Sequence, residues 1–520
     1  MVVLDGEHLT IEQVNEVAQN GVQVSIVEEA RSKVDASHRL VLQLVDEGRI
    51  LYGITTGIGE FAKVRITREQ SEDLQKRIIR SHAACTGDIL SPEIVRAMML
   101  LRINVMAKGY SGARYSTLQT IADMLNKNVI PLVYEKGSLG ASGDLSPLAM
   151  LALVVIGEGE AFYQGMRMHG REAMELAGVS IVEPTYKEAL ALINGTQLFT
   201  GMAALMCVDA ENLIKTAQIA SAMTIDALKG VVKAFDPRLH VLRPFPGQKT
   251  VAANILRLIE GSEITANPIH DKVQDSYSLR CAAQIIGPAL DALKYVREQV
   301  TIEMNSAADN PLFLAEDGEF LTGGNFHGQS VAAALDFMAI PMTTICCLSE
   351  RHTNRLLNPA LSGLPDFLTN GKGLNSGLMV AQYTAAALAS ENKVFAHPAS
   401  IDSIPVSADQ EDFVSMGPTA AYKLRNILKN AAPILAIQLI CAAQALDFRA
   451  PLKPGRGTQA AYNKIREVVS HLEDDRALYP DIDAVTELVR NGDIVKAVEN
   501  EIGPIEVTWQ KEQICCHLSR

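Results

Sequence analysis

Between Gly137 and Leu148 the chain reads GSLGASGDLSPL, and at its centre Ala141-Ser142-Gly143 is a run of three small residues. Two familiar uses of a Gly-rich loop do not fit. A phosphate cradle needs Gly-x4-Gly-Lys-Ser/Thr, or Gly-x-Gly-x-x-Gly between the strand and helix of a βαβ unit. Here Lys136 precedes the glycines, and no strand is expected before the loop. A flexible linker is also a poor fit, because apolar helical segments flank the loop closely. On the tripeptide alone two readings stay open. One is an ordinary tight turn. In the other the Gly143 nitrogen attacks the Ala141 carbonyl carbon, a five-membered ring closes with loss of water, and Ser142 loses its hydroxyl to leave an exocyclic methylene. That closure needs a residue without a Cβ at the tight turn, which Gly143 supplies. Its product, 4-methylidene-imidazol-5-one (MIO), is an electrophile made from the chain itself.

Other residues suit the chemistry such an electrophile would serve. Tyr52, in YGITTGIG, is a phenol that must be shifted to act as a base near neutral pH, or else a buried turn tyrosine. Arg280, in QDSYSLR, offers a planar, permanently charged fork for a carboxylate, or else is a surface arginine. Gln274 and Tyr277 stand six and three positions before it, so on a helix the three would form a drifting stripe.

The string around Ala141-Ser142-Gly143 resembles the signature of the MIO-dependent aromatic amino acid ammonia-lyase and aminomutase family. Similar segments follow in family order: YGITTGIG (52–59), RSHAA (80–84), GYSGAR (109–114), ALINGTQ (191–197), VQDSYSLRC (273–281), NSAADNPL (305–312), GGNFHGQ (323–329), LNSGLMVAQYTAAALASENK (374–393) and QEDFVSMG (410–417). The resemblance spans about residues 48 to 450. It implies a carbon–nitrogen lyase that expels the α-amine of an amino acid as ammonia. The methylidene carbon from Ser142 would make the amine a better leaving group, and Tyr52 would take the β-proton. Arg280 would hold the substrate carboxylate, with Gln274 and Tyr277 in the pocket. Asn194 would hydrogen-bond the ring oxygen and Phe326 would shape the site.

Three positions bear on the substrate. Ser81-His82 matches the pair found in histidine lyases of the family and in some tyrosine enzymes. Met379, in NSGLM, also matches the histidine lyases. Glu411, in QED, stands where phenylalanine and tyrosine enzymes usually have Gln. A carboxylate facing an imidazole N–H gives a charge-assisted hydrogen bond, whereas against a phenyl ring it would be buried without a partner. These residues imply L-histidine as substrate and urocanate as product. The alternatives are a tyrosine or phenylalanine ammonia-lyase, or a 2,3-aminomutase. Departures from the histidine-lyase pattern are Phe413 for His, Cys85 for Gly, Ile58 for Phe, and DLSPLAM in place of DLAPLSH or DLAPLAH. A helical scaffold that had lost the chemistry is a different class, and it is disfavoured because Tyr52, Ser142, Asn194, Tyr277 and Arg280 are all in place.

These residues must be positioned mainly by helices. Apolar residues recur at i, i+3, i+4 and i+7 through 71–85, 92–109, 117–128, 198–232, 282–306 and 331–357, several of them apolar nearly all round. One hairpin with a Gly turn is expected over 161–170. The expected fold is mainly α: a region of loops and short helices carrying the Ala-Ser-Gly loop (1–195), a long antiparallel central bundle (196–480) and a helical tail (481–520). The tail holds the single Trp and the Cys515–Cys516 pair, for which no role emerges.

Composition sets the bounds. The chain has 520 residues, 48% hydrophobic and 21% charged, with a net charge of −13, a balance that argues against nucleic acid as partner. No signal peptide is read at the N-terminus, and runs such as LAMLALVVIG (148–157) are too short for a bilayer. Eight cysteines show neither a disulfide framework nor metal-ligand spacing, so a cytoplasmic protein without metal or nucleotide is expected. The family resemblance implies a homotetramer with active sites shared between subunits, in keeping with central helices too apolar for one bundle to cover.

Overall fold

The computed structural model describes residues 1–266 and 272–507; Trp509 and the Cys515–Cys516 tail lie outside these. Among the described residues the chain is mainly α, with twenty α-helices and only short strands. The longest helices are Gln197–Ala227, Gly417–Asp447, Gln329–Leu357 and Ala282–Met304, whereas those before residue 195 run from 6 to 19 residues. Two of them, Gln329–Leu357 and Gly417–Asp447, are long and apolar enough to cross a membrane, unlike the short run at 148–157; 72% and 78% of their most apolar windows are buried inside the protein, as in core helices.

The hairpin forms over Glu160–Tyr163 and Met166–His169, turning on Gln164 and Gly165, both at positive φ as a two-residue hairpin turn requires. One expectation is corrected. A short strand, Tyr134–Lys136, does precede the Ala-Ser-Gly loop, paired antiparallel with Thr86–Ile89. The segment was too brief for its alternation to register, and the pairing is antiparallel rather than the parallel βαβ of a nucleotide cradle.

The chain divides into two compact units, each drawn from three segments. The first comprises Met1–Val208, Val296–Asp336 and Pro398–Tyr422; the second comprises Asp209–Tyr295, Phe337–His397 and Lys423–Arg520. In the second unit the buried Asp226 carboxylate gathers three elements, accepting from Ser262 Oγ, from Thr458 Oγ1 at 2.6 Å and from Gly455 N at 2.8 Å. Burial raises its pKa against those hydrogen bonds.

The first unit is organised around helix Pro92–Ala107. Ser91 precedes it and Pro92 occupies its first turn, a favoured start because proline lacks only an N–H that is unpaired there anyway. Its apolar side chains are buried on every side, and two polar ones are buried among them. Asn104 ties the N-terminus to a distant helix end, accepting from Gly6 N at 3.1 Å and donating to Met304 O at 2.9 Å. Arg102, wholly buried, lies with Lys187 against the single carboxylate of Asp309: Lys187 Nζ is 2.9 Å and Arg102 Nη2 3.9 Å from its oxygens. Burial pushes the pKa of both cations down, and Asp309 pulls both back up.

Removing the one anion of this cluster leaves two buried cations uncompensated. Asp309→Asn should therefore destabilise the protein by about 3–5 kcal/mol, read as a lower denaturation midpoint by circular dichroism. A midpoint equal to the parent's would show that the two cations do not depend on Asp309.

Candidate active site

The Ala-Ser-Gly loop is held by pairing with a second loop of the same unit. Gly195 N donates to Ser142 O at 3.1 Å, and Asp144 N donates to Gly195 O at 2.6 Å. Within the loop Gly143 N reaches back to Gly140 O at 3.3 Å. Ser142 sits at φ +50° and Gly143 at φ +79°, a left-handed pair that bends the tripeptide sharply. Side chains are excluded sterically as well: a Cβ on Gly143 would stand 2.1 Å from Gly195 O, and one on Gly195 2.3 Å from Ala308 O.

Asp144 anchors the far end of the loop. Its Oδ2 accepts from Leu198 N at 2.8 Å and Phe199 N at 3.1 Å, the free N–H groups in the first turn of helix Gln197–Ala227. Ser138 Oγ lies 3.1 Å from Gly143 O and 3.2 Å from Asp144 Oδ1. Burial pushes the Asp144 carboxyl up to about 7 against these hydrogen bonds. Asn194 precedes the paired glycine and caps the C-terminus of helix Glu188–Ile193. Its Oδ1 is buried without a hydrogen-bond partner. A bent turn with no room for a Cβ at Gly143, its Ser142 carbonyl already met by Gly195 N–H, fits a loop that closes into an imidazolone ring.

A cavity of about 570 Å³ opens on this loop, its walls including Tyr52, Ser142, Asn310, Phe320, Phe326 and Glu411. All belong to the first unit. Tyr52 is set by the threonines of its loop: Leu51 N donates to Thr55 Oγ1 and Gly53 N to Thr56 Oγ1. Buried Gln75 ties that loop toward Asn194, donating to Gly53 O at 3.2 Å and accepting from Ala189 N at 3.0 Å. Tyr52 Oη accepts from Gly59 N at 2.9 Å. Burial raises the phenol above its ordinary 10.0; the Gly59 hydrogen bond opposes this, and the Glu411 charge adds to it.

Glu411 stands on a tight hairpin, exchanging backbone hydrogen bonds with Val406 at 3.1 and 3.3 Å. Ser407, Ala408 and Asp409 between them are all left-handed. Burial raises the Glu411 pKa. Phe413 is 63% exposed, and its ring stacks on His327, centroids 6.3 Å apart, while His327 Nε2 donates to Phe413 O. The ring that replaces the usual histidine thus packs on the GNFHG loop and is not among the cavity walls.

The remaining expected residues are placed as follows. His82 ends helix Arg68–His82, its Nδ1 donating to Ile78 O at 2.8 Å, with burial lowering its pKa; it is not among the cavity walls. Gln274, Tyr277, Arg280 and Met379 belong to the second unit. Arg280 closes the short helix Tyr277–Arg280, its guanidinium 4.8 Å over the Tyr277 ring and its Nε buried without a partner. Gln274 is exposed and lies outside that helix, so the expected three-residue stripe shrinks to two. The reason is Asp275, which accepts from Val231 N and pairs with Lys272, holding the chain extended until Ser276 starts the turn. Met379 opens helix Met379–Phe395 and is half-buried. Sequence reasoning missed Asn310, whose Oδ1 accepts from Gly323 N, although NSAADNPL contains it. It also missed Gln75 and Arg102, which read as ordinary helix residues because only tertiary contact gives them a part.

The chain belongs to the aromatic amino acid lyase family, whose model matches residues 9–467. It is thus a carbon–nitrogen lyase acting on a small amino acid, in a family that works through an MIO electrophile. A histidine ammonia-lyase of Alkaliphilus oremlandii is 52% identical over 501 residues, covering 96% of this chain and 99% of its own. The crystal structure of histidine ammonia-lyase from Trypanosoma cruzi superposes with a TM-score of 0.90 at 38% identity, covering 98% of both chains. A tyrosine aminomutase from Streptomyces globisporus superposes with a TM-score of 0.92 at 36% identity, covering 96% of this chain and 98% of its own. The shared fold therefore carries different reactions, and choice of substrate rests on side chains.

Gly143→Ala should break the loop pairing, since its Cβ has no room and φ +79° disfavours a side chain. The expected result is loss of ammonia release with a stability decrease of about 1–3 kcal/mol, measured by product assay and thermal unfolding. Retained turnover would mean that the turn does not need a bare residue there.

Proposed function

We propose that this chain is a histidine ammonia-lyase, eliminating ammonia from L-histidine to give urocanate. The observation that carries this reading is Glu411 on the wall of the cavity that also exposes Ser142 and Tyr52. A carboxylate there is matched by an imidazole N–H and by nothing on a phenyl ring. The 50%-identical relatives named for that activity support the same substrate.

In this reading Ala141, Ser142 and Gly143 would form MIO, which would supply an electrophile that makes the substrate amine a better leaving group. The roles of the other residues follow from their chemistry. Tyr52 removes the β-proton, with Gly59 N–H stabilising the phenolate. The phenolate is the active form, and burial favours the phenol, so this base works better as pH rises. Gly195 N–H holds the ring oxygen, and the Asn194 side chain donates to it through its Nδ2. Phe326 packs beside the reacting atoms. Arg280 holds the substrate carboxylate, with Tyr277 and Gln274 beside it, and His82 and Met379 contribute to ring selection. The active protein is a homotetramer; support comes from side chains such as Leu242, Val273, Leu374 and Val394, each more than 70% exposed in the single chain. A cytoplasmic location is supported by the free thiols of the six described cysteines.

The purified protein should convert L-histidine to a conjugated product seen by ultraviolet absorbance, and its intact mass should be lower than the encoded mass by two waters. Ser142→Ala should show neither change. Turnover of tyrosine or phenylalanine alone would overturn the substrate, a β-amino acid product would make the enzyme a mutase, and full turnover by Ser142→Ala would remove the electrophile from the mechanism.

Glu411→Gln should weaken histidine binding by about 1.5–3 kcal/mol, the range for a hydrogen bond to a charged group, seen as a raised KM. Turnover of tyrosine should rise relative to histidine. An unchanged KM for histidine would show that Glu411 does not face the substrate ring.

A further inference from the structure

Arg102 does not touch the cavity, yet it is fully buried and costly to keep there. Its Nε and Nη2 have no hydrogen-bond partner, and unpaired buried donors of a charged group are expensive. Nη2 is 3.9 Å from Asp309, too far for a hydrogen bond, while Lys187 takes the near oxygen at 2.9 Å. Its short contact is elsewhere: Nη1 donates to the Asn194 carbonyl oxygen at 2.6 Å, with Gln197 Oε1 at 3.1 Å. The other end of that same peptide is Gly195 N–H, which donates to Ser142 O.

We propose that Arg102 is a positioning residue that acts through the Asn194–Gly195 peptide to polarise the carbonyl of Ser142. The proposal rests on the reading that residues 141–143 cyclise. Hydrogen-bonded amides in series polarise one another, and a cation at the carbonyl end strengthens the donor at the N–H end. Arg102 and Lys187 share one carboxylate, so the cluster keeps one positive charge in excess, and that charge faces the Asn194 carbonyl.

Ser142 O is the oxygen on which this polarisation has a use. Ring closure forms the bond from Gly143 N to the Ala141 carbonyl carbon and releases the Ala141 oxygen as water. Dehydration then removes the Cα proton and the Oγ hydroxyl of Ser142 as a second water, leaving a Cα–Cβ double bond. As the Cα proton departs, its electron pair delocalises onto Ser142 O, where Gly195 N–H waits to stabilise it. The same donor later draws electrons from the completed methylidene through the same oxygen.

The test uses Arg102→Gln and Arg102→Lys in the full-length chain. Neutralising Arg102 leaves the Lys187–Asp309 pair matched, so the fold should tolerate it; if circular dichroism shows Arg102→Gln unfolded, Arg102→Met replaces it. In the neutral variant a measurable fraction of chains should keep one or both waters, read as intact mass against that variant's own encoded mass. kcat on the mature fraction should fall about 10- to 100-fold with KM little changed, and Arg102→Lys should restore most of the mature mass. A neutral variant with the parent's two-water deficit and kcat, changed only in thermal stability, would overturn the proposal. If the parent itself shows no loss of water, it is the cyclisation reading that fails, and the variants would then match their own encoded masses.

Discussion

Two loops meet backbone to backbone at Gly143 and Gly195, and the site in the first unit is arranged around that contact. Neither glycine has room for a Cβ, because each faces a carbonyl oxygen little more than 2 Å from where one would be. Everything nearby serves the approach. Asp144 fastens one loop to the first turn of helix Gln197–Ala227, while Arg102 grips the carbonyl at the start of the other. Gln75 then extends the frame to the loop of Tyr52. The Ala-Ser-Gly tripeptide is thus bent by long-range partners and not by its own preference, since a free Ala-Ser-Gly has no reason to hold Ser142 at positive φ.

This arrangement separates the cost of the site from its chemistry. The buried charges Arg102, Lys187, Asp309 and Asp144 lie behind the loops, where burial penalises them and close partners offset much of the penalty. The groups assigned to chemistry, Tyr52 and Glu411, are only partly buried, and both are shifted toward their neutral forms. Their shifts are coupled, because the Glu411 charge is one of the causes that raise the Tyr52 pKa. A substrate imidazole lying on Glu411 would screen that charge.

Much of this was readable from the residues. Periodicity located the helices Pro92–Ala107, Gln197–Ala227 and Ala282–Met304 within a few residues, since apolar spacing directly reports burial. The hairpin at 160–169 was marked by its glycine. The Ala-Ser-Gly loop, Tyr52, Phe326 and Glu411 were found through motif strings, and the structure brings them to one cavity. What escaped was whatever depends on distant partners. The strand Tyr134–Lys136 is three residues long and exists through its pairing with Thr86–Ile89. Gln274 was expected on a helix that Asp275 delays. Gln75 and Arg102 carry no local signal, because their partners are backbone groups from 22 to 114 positions away.

The hairpin that bears Glu411 has a consequence for how such an enzyme can change its diet. It is closed by two backbone hydrogen bonds to Val406 and three left-handed residues, and Val406 packs against the cluster of Ala141, Val414 and Met416 that borders the Ala-Ser-Gly loop. On the proposed roles, the turn that reads the substrate ring is closed locally but rests on the loop that supplies reactivity. Exchanges at 410 and 411 leave that packing in place, whereas exchanges at 406 reach Ala141. A lineage of such enzymes can thus trade one amino acid for another by editing two positions of a short turn, provided that Val406 is kept.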